Sequence, residues 1–265
     1  MNNASHKGFG EALAAMSPIT LEEMDGIKLM NRIDTKYLTD GRTLSGLLEQ
    51  AAAEGYRVLS AGGNRISGYN SVYYDTPSLR TYYDHRNKKL VRQKVRTRTY
   101  LESGQAFLEI KRKNNKGRTK KKRMEIPPAE LMDFSADAAA TIYLSKHSCF
   151  TADELSPVLA TKFRRITLVN PALTERLTID TALQFENYRT GRSADLGDAV
   201  IIELKQDGRA ASPMKGILLQ ARVKPVRVSK YCVAVTLTDP SVRAGRFKIK
   251  VRTIEKTIGN KIAVI

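Results

Sequence analysis

Residues 90–126 read LVRQKVRTRTY (Leu90–Tyr100), LESGQAFLEIKRK (Leu101–Lys113) and NNKGRTKKKRMEI (Asn114–Ile126). Each piece has the alternation of a β-strand. The breaks between them carry Ser103-Gly104 and Asn114-Asn115 with Gly117, which is turn chemistry. Successive strand side chains point to opposite faces. The spacing therefore puts Arg92, Lys94, Arg96 and Arg98 on one face of the first strand. On the second, Glu109, Lys111 and Lys113 share a face, with Leu108 and Ile110 opposite. A basic run is commonly just a solvated surface, but solubility needs no period-two register over three strands. Cations set side by side also repel one another unless an anion offsets them. The pattern points to a sheet with one apolar face and one that holds a polyanion.

Composition agrees. The 265 residues carry 45 Lys+Arg against 27 Asp+Glu, a formal net charge of +18, and 42% are hydrophobic. The chain can build a core, and its charge calls for an acidic partner: nucleic acid, a polyphosphorylated molecule or an anionic membrane surface. Cys149 and Cys232 with three histidines give no zinc spacing and no disulfide framework. No apolar run reaches the roughly 20 residues of a membrane span. The first residues do not have the form of a secretory signal, so a soluble, cytoplasmic chain is expected.

In chain order, Ser17-Pro18 with Thr20 and LEEMDGIKLM reads as a capped, short amphipathic helix. Asn31–Leu38 reads as a strand with Arg32, Asp34 and Lys36 on one face, and residues 40–55 as a helix ending at Gly55. Ile66–Tyr74 is a strand that runs into a turn at Asp75-Thr76-Pro77. Residues 129–156 read as a helical insert. Further strands follow at Leu159–Val169, Thr174–Phe185 and Ala199–Gln206. Residues 212–223 read as a helix, and a helix is favoured after Ser229. Residues 1–238 are expected to form one domain with its core at about 31–238; the stretch 239–265 is left unassigned. The class is α+β. Eight antiparallel strands close naturally into a barrel, with charged faces lining the lumen and helices covering the apolar faces. Such a lumen suits a linear polyphosphate with a divalent metal.

Seven motifs in order, RIDTKY, VYYDTP, VRTRTY, LEIKRK, ERLTIDT, IIELK and VRVSKY, span about Asn31–Thr238. Together they resemble the triphosphate-tunnel (CYTH-like) superfamily, and within it the VTC (vacuolar transporter chaperone) polyphosphate polymerase domain. The resemblance implies an eight-stranded antiparallel barrel that moves the ATP γ-phosphate onto polyphosphate with Mn²⁺ or Mg²⁺. It implies Lys36, Arg96, Arg98, Lys111 and Arg176 as catalytic phosphate-contacting residues. Lys122 of TKKKR (Lys120 being the close alternative), Arg165, Arg227 and Lys230 are implied as further substrate contacts, and Glu203 as the metal ligand. The face taken by Arg165 is open from the pattern. The hydrolase branch of the superfamily opens with E-x-E-x-K, where this chain has Arg32-x-Asp34-x-Lys36; a cation replaces the first carboxylate, as in the polymerase branch. The expected partners are ATP and inorganic polyphosphate or triphosphate. Sparse aromatic residues, 7% with no Trp, give no stacking platform, and no specific nucleic acid is expected. A triphosphatase on the same barrel and a non-catalytic polyanion binder are the alternatives.

Overall fold

The computed structural model describes residues 4–25, 27, 32–208 and 210–265. Eight long strands are β1 (Arg32–Asp40), β2 (Ser67–Asp75), β3 (Arg92–Tyr100), β4 (Ala106–Lys113), β5 (Thr119–Ile126), β6 (Ser156–Val169), β7 (Glu175–Asn187) and β8 (Ala199–Asp207). They stand in the order β1-β8-β7-β6-β2-β3-β4-β5, with every neighbouring pair antiparallel. The sheet curls into a half-barrel, and among the described residues the edge strands β1 and β5 share no ladder. Two register shifts, at Tyr73/Tyr74 in β2 and at Lys162/Arg164 in β6, break the regular pairing. Bulges of this kind bend a strand and strengthen its twist.

The helices are α1 (Ala4–Ala15), α2 (Leu21–Asp25), α3 (Gly41–Ala53), α4 (Arg80–Arg86), α5 (Ala138–His147), α6 (Pro213–Gln220), α7 (Lys230–Thr238) and α8 (Arg246–Ile258). Helix α3 starts where Asp40 accepts from the Thr43 amide at 2.8 Å, and the chain leaves it through Gly55 at φ +74°. Helix α6 is capped by Ser212 and α7 by Ser229. One outer core joins α1, α3 and α6 to Tyr37, Ile166, Leu168, Leu177, Ile179 and Ile202. A second lays Phe134, Leu144 and Phe150 over Val72, Val95, Leu108 and Ile110.

The concave side departs from the expected wholly charged lumen. Half of it is apolar: Leu38, Tyr69, Leu159, Phe163, Leu183, Phe185 and Ile201 surround α7, whose Tyr231, Cys232, Val233, Ala234 and Val235 are all buried. A helix apolar on every side belongs inside, and α7 plugs that half. The stretch after residue 239, which the pattern does not place, contributes α8, with Phe247 and Ile254 buried against α7. It also adds a short strand, Ala263–Val264, paired with Ser193–Asp195.

The expected insert over 129–156 shortens to a 3-10 turn at Pro128–Leu131 and to α5. Asp133 accepts from the Ser135 amide, a local bond that competes with helix, and Asp137 starts α5 later by capping it through the Ala139 amide. Of the helix expected to run on from residue 21, Leu21–Asp25 is seen. Residues 26, 28–30 and Asn31 lie outside the described residues. Among the described residues no helix is long and apolar enough to cross a membrane.

Candidate functional site

The unplugged half of the concave face is organised by three carboxylates. Glu109 on β4, 2% exposed, accepts from Arg96 Nε at 2.7 Å, is paired with Lys121 and lies 3.8 Å from Arg98 Nε. Asp180 on β7 takes both arms of Arg165, at 2.6 and 2.8 Å, and the ammonium of Lys230. Glu203 on β8 meets Lys36 at 2.6 Å and Lys205 at 3.0 Å. Three anions thus hold seven cations. Lys94 and Lys111 share one cross-strand row with Lys121, and Arg176 shares another with Lys205. The lumen keeps a surplus of positive charge.

Aromatic rings support part of this array. Tyr69 and Phe163 stack with centroids 5.2 Å apart and planes within 2°. The guanidinium carbon of Arg98 sits 5.2 Å from the Tyr69 centroid and that of Arg165 at 5.0 Å; Lys230 Nζ lies 4.3 Å from the Phe163 centroid. Cations over ring faces are attracted to the quadrupole. Position therefore comes from stacking as well as from ion pairs. The two walls also meet across the space: Lys111 on β4 feels the charges of Glu203 and Lys36 on the far edge of the sheet.

The ionisation behaviour follows from crowding. Burial works against the charge on Glu109, Asp180 and Glu203, yet their cationic neighbours hold all three well below the usual carboxylate range. Burial draws the Lys121 and Lys205 ammoniums down to about 8, against the pull of Glu109 and Glu203. Lys111 and Lys230 are lowered by burial in the same way. In the unfolded chain lysine keeps its proton to about 10.4. The folded state sheds these protons first, so stability rises with pH between those values. The ligand-free protein is expected to melt at a higher temperature near pH 9 than near pH 7, and tripolyphosphate is expected to raise the pH 7 value and flatten the trend. Calorimetric scans across that range check it; a melting temperature that falls steadily with pH would contradict it.

Lys36, Arg96, Arg98, Lys111, Arg176, Arg165, Lys230 and Glu203 stand on the concave side, and Arg165 takes the face the pattern leaves open. Lys122 does not: it pairs in register with Ile110, whose side chain is buried in the outer core. Lys120 shares that outward side. The lysine that enters is Lys121, opposite Lys111. Arg227 is exposed in the segment before α7, where Val226 N donates to Lys36 O at 2.7 Å; it does not join the ion-pair network among the described residues.

Lys121, Lys205, Tyr73 and Asp75 are not among the sequence candidates, and Lys94, which the spacing sets on the cationic face, has no role assigned there. Asp75 is fully buried. It accepts from the amides of Thr81 and Tyr82, from Thr81 Oγ1 and from Tyr231 Oη at 2.6 Å. It fastens α4 to β2 and fixes Tyr231, the neighbour of Lys230. The turn reading of Asp75-Thr76-Pro77 contains the signal, since a carboxylate at a turn often caps the helix that follows.

A divalent metal has limited protein ligands here. No group of three His, Cys, Asp or Glu residues able to hold one is found among the described residues. Asp34 is engaged by Arg32 at 2.6 Å. Glu203 stands between Lys36 and Lys205 and, at 20% side-chain exposure, is more open than Glu109 or Asp180. That donor set fits a hard cation held by one carboxylate and otherwise by substrate oxygens and water, a mode common for Mg²⁺.

Comparison with solved structures places the fold. A structure from Bacillus halodurans, described as a candidate adenylate cyclase, superposes with a TM-score of 0.51 at 15% identity, covering 76% of this chain and 96% of that one. A Hippeastrum adenylyl cyclase candidate, described as having a dominant triphosphatase activity, gives 0.45 at 15% identity over 76% and 94% of the two chains. At such identity only the fold is shared. No curated protein matches the chain. The family model of the VTC domain matches residues 31–238. With that match over most of its length, the chain belongs to the VTC domain family.

Proposed function

We propose that this chain is a metal-dependent phosphotransferase that moves the γ-phosphate of ATP onto a polyphosphate chain held in its half-barrel. The observation that carries the reading is the inward convergence of Lys36, Arg96, Arg98, Lys111, Arg165, Lys205 and Lys230 around Glu109, Asp180 and Glu203. Family membership and the fold support it.

Phosphoryl transfer asks a protein chiefly for positioning and for charge stabilisation. Arg96 and Arg98 present guanidinium groups that suit forked contacts to phosphate oxygens. Glu109 fixes Arg96, and the Tyr69–Phe163 stack fixes Arg98, so neither is reoriented when substrate arrives. Arg165 and Lys230 do the same from the opposite wall, tied by Asp180. Lys36, Lys111, Lys121, Lys205 and Arg176 supply further charge along the chain of phosphates. No protein nucleophile is needed, because the terminal oxygen of the acceptor polyphosphate attacks the γ-phosphorus as the bond to the ADP oxygen breaks. Mn²⁺ or Mg²⁺ on Glu203, when bound, supplies charge neutralisation on the phosphate oxygens. A cation at Arg32 in place of the hydrolases' first carboxylate, itself paired with Asp34, favours transfer to a phosphate acceptor over transfer to water.

Incubation of the protein with ATP and Mn²⁺ is expected to yield long-chain polyphosphate on gels together with ADP. Release of inorganic phosphate with no polymer would assign the barrel to a triphosphatase. Binding of polyphosphate or nucleic acid with no turnover would leave a non-catalytic binder.

A further inference from the structure

We infer that Tyr73 is a further substrate-contacting residue, its phenol donating a hydrogen bond to a phosphate oxygen of the bound chain. This rests on the phosphate-binding reading above and adds a neutral donor to a site otherwise made of cations.

Tyr73 lies on β2 in the cross-strand row that continues through Arg96 and Glu109. It is 6% exposed, and its ring stacks on Tyr231 with centroids 5.2 Å apart. Its oxygen accepts from an Arg96 nitrogen at 3.0 Å. A phenol that accepts still has a proton to give. Around it stand Arg96, Arg98 and Lys94 from β3, Lys230 from α7 and the apolar Leu159 from β6. Guanidinium and ammonium groups have no lone pair to offer. Tyr231 has its own hydroxyl on Asp75. Glu109 is taken up by Arg96 and Lys121, and Asp180 by Arg165 and Lys230. Among the described residues, the Tyr73 hydroxyl accepts from Arg96 and donates no hydrogen bond. A buried donor without an acceptor is unfavourable, and the acceptor this pocket of cations would admit is an anion.

The surrounding charge gives the same picture. Burial alone would raise the phenol, but Arg96, Lys94, Arg98 and Lys230 draw it down to about 8. A bound polyanion offsets those cations and returns the phenol to its protonated, donating form. If Tyr73 were only a packing residue, phenylalanine would serve equally well; the hydroxyl is what separates the two roles.

The test compares wild type, Tyr73→Phe and the double variant Arg96→Ala, Arg98→Ala, with tripolyphosphate binding measured by calorimetry in chelator at about pH 7 and about pH 9. Tyr73→Phe is expected to bind about tenfold more weakly near pH 7, the usual size for a hydrogen bond to a charged group. Its affinity should vary less with pH than that of wild type. The near-ultraviolet phenolate signal present in wild type and absent from the variant should titrate near 8 without ligand, and higher with tripolyphosphate. Equal affinity of Tyr73→Phe and wild type near pH 7, while the arginine variant loses binding, would overturn the role of Tyr73 and leave the phosphate site intact. Full binding by the arginine variant would overturn the phosphate reading itself. Should Tyr73→Phe fold poorly, the wild-type phenolate titration decides: a midpoint that tripolyphosphate does not move rejects the contact.

Discussion

Replacing Arg96 and Arg98 together with alanine is expected to weaken tripolyphosphate binding by at least about a hundredfold and to abolish any turnover. A charge-assisted hydrogen bond contributes about 1.5–3 kcal/mol. Losing one from each arginine removes about 3–6 kcal/mol, and about 1.4 kcal/mol is tenfold in affinity. Both groups are largely withdrawn from water, with 22% and 7% of their side chains exposed, so screening does little to reduce the effect. The double variant also strips Glu109 of two partners. Breaking one side of a buried pair costs about 3–5 kcal/mol, and a lower melting temperature is expected. Adding Glu109→Gln removes the stranded charge. The triple variant should recover much of the melting temperature and none of the binding. Binding that returns along with stability would mean that the arginines serve the fold and not the ligand.

Glu203→Gln is expected to separate binding from chemistry. With the carboxylate gone, Lys36 and Lys205 lose the anion they now share and become available to phosphate. Metal-free tripolyphosphate should bind about three- to tenfold more tightly, while metal-dependent turnover falls by about a hundredfold or more. Calorimetry in chelator and a rate assay with Mn²⁺ give the two numbers. Affinity and rate that fall in parallel would show that Glu203 merely holds the lumen wall together.

The half-barrel was legible because most of its strands write one face in charge and the other in aliphatics. Glu109 and Lys111 against Leu108 and Ile110, or Glu203 and Lys205 against Ile202 and Leu204, leave little freedom in register. Lys122 shows where that logic needs a turn length. The loop Asn114–Arg118 has five residues, closed by Asn114 N on Arg118 O, and it pairs Lys111 with Lys121. One residue of slip turns every side chain to the other face. The three consecutive lysines look alike until that loop is counted. Arg227 stands outside the ion-pair network for a related reason: among the described residues its segment meets β1 through an isolated bridge at Pro225 and the Val226 amide, so strand alternation does not carry to the next residue. Helix α7 was visible from Ser229 onward, but nothing local to it says that it enters the barrel. That follows from its having no polar side to give to water.

The cations are expected to grip phosphates from inside the curl. A crystal soaked with tripolyphosphate and Mn²⁺ tests it most directly. The prediction is a run of phosphate density bounded by Arg96 and Arg98 on one wall, Arg165 and Lys230 on another, and Lys36 and Glu203 on the third. Phosphate bound instead along the outer face of the Lys113–Arg118 hairpin, beside Lys120 and Lys122, with the lumen filled only by water, would contradict it.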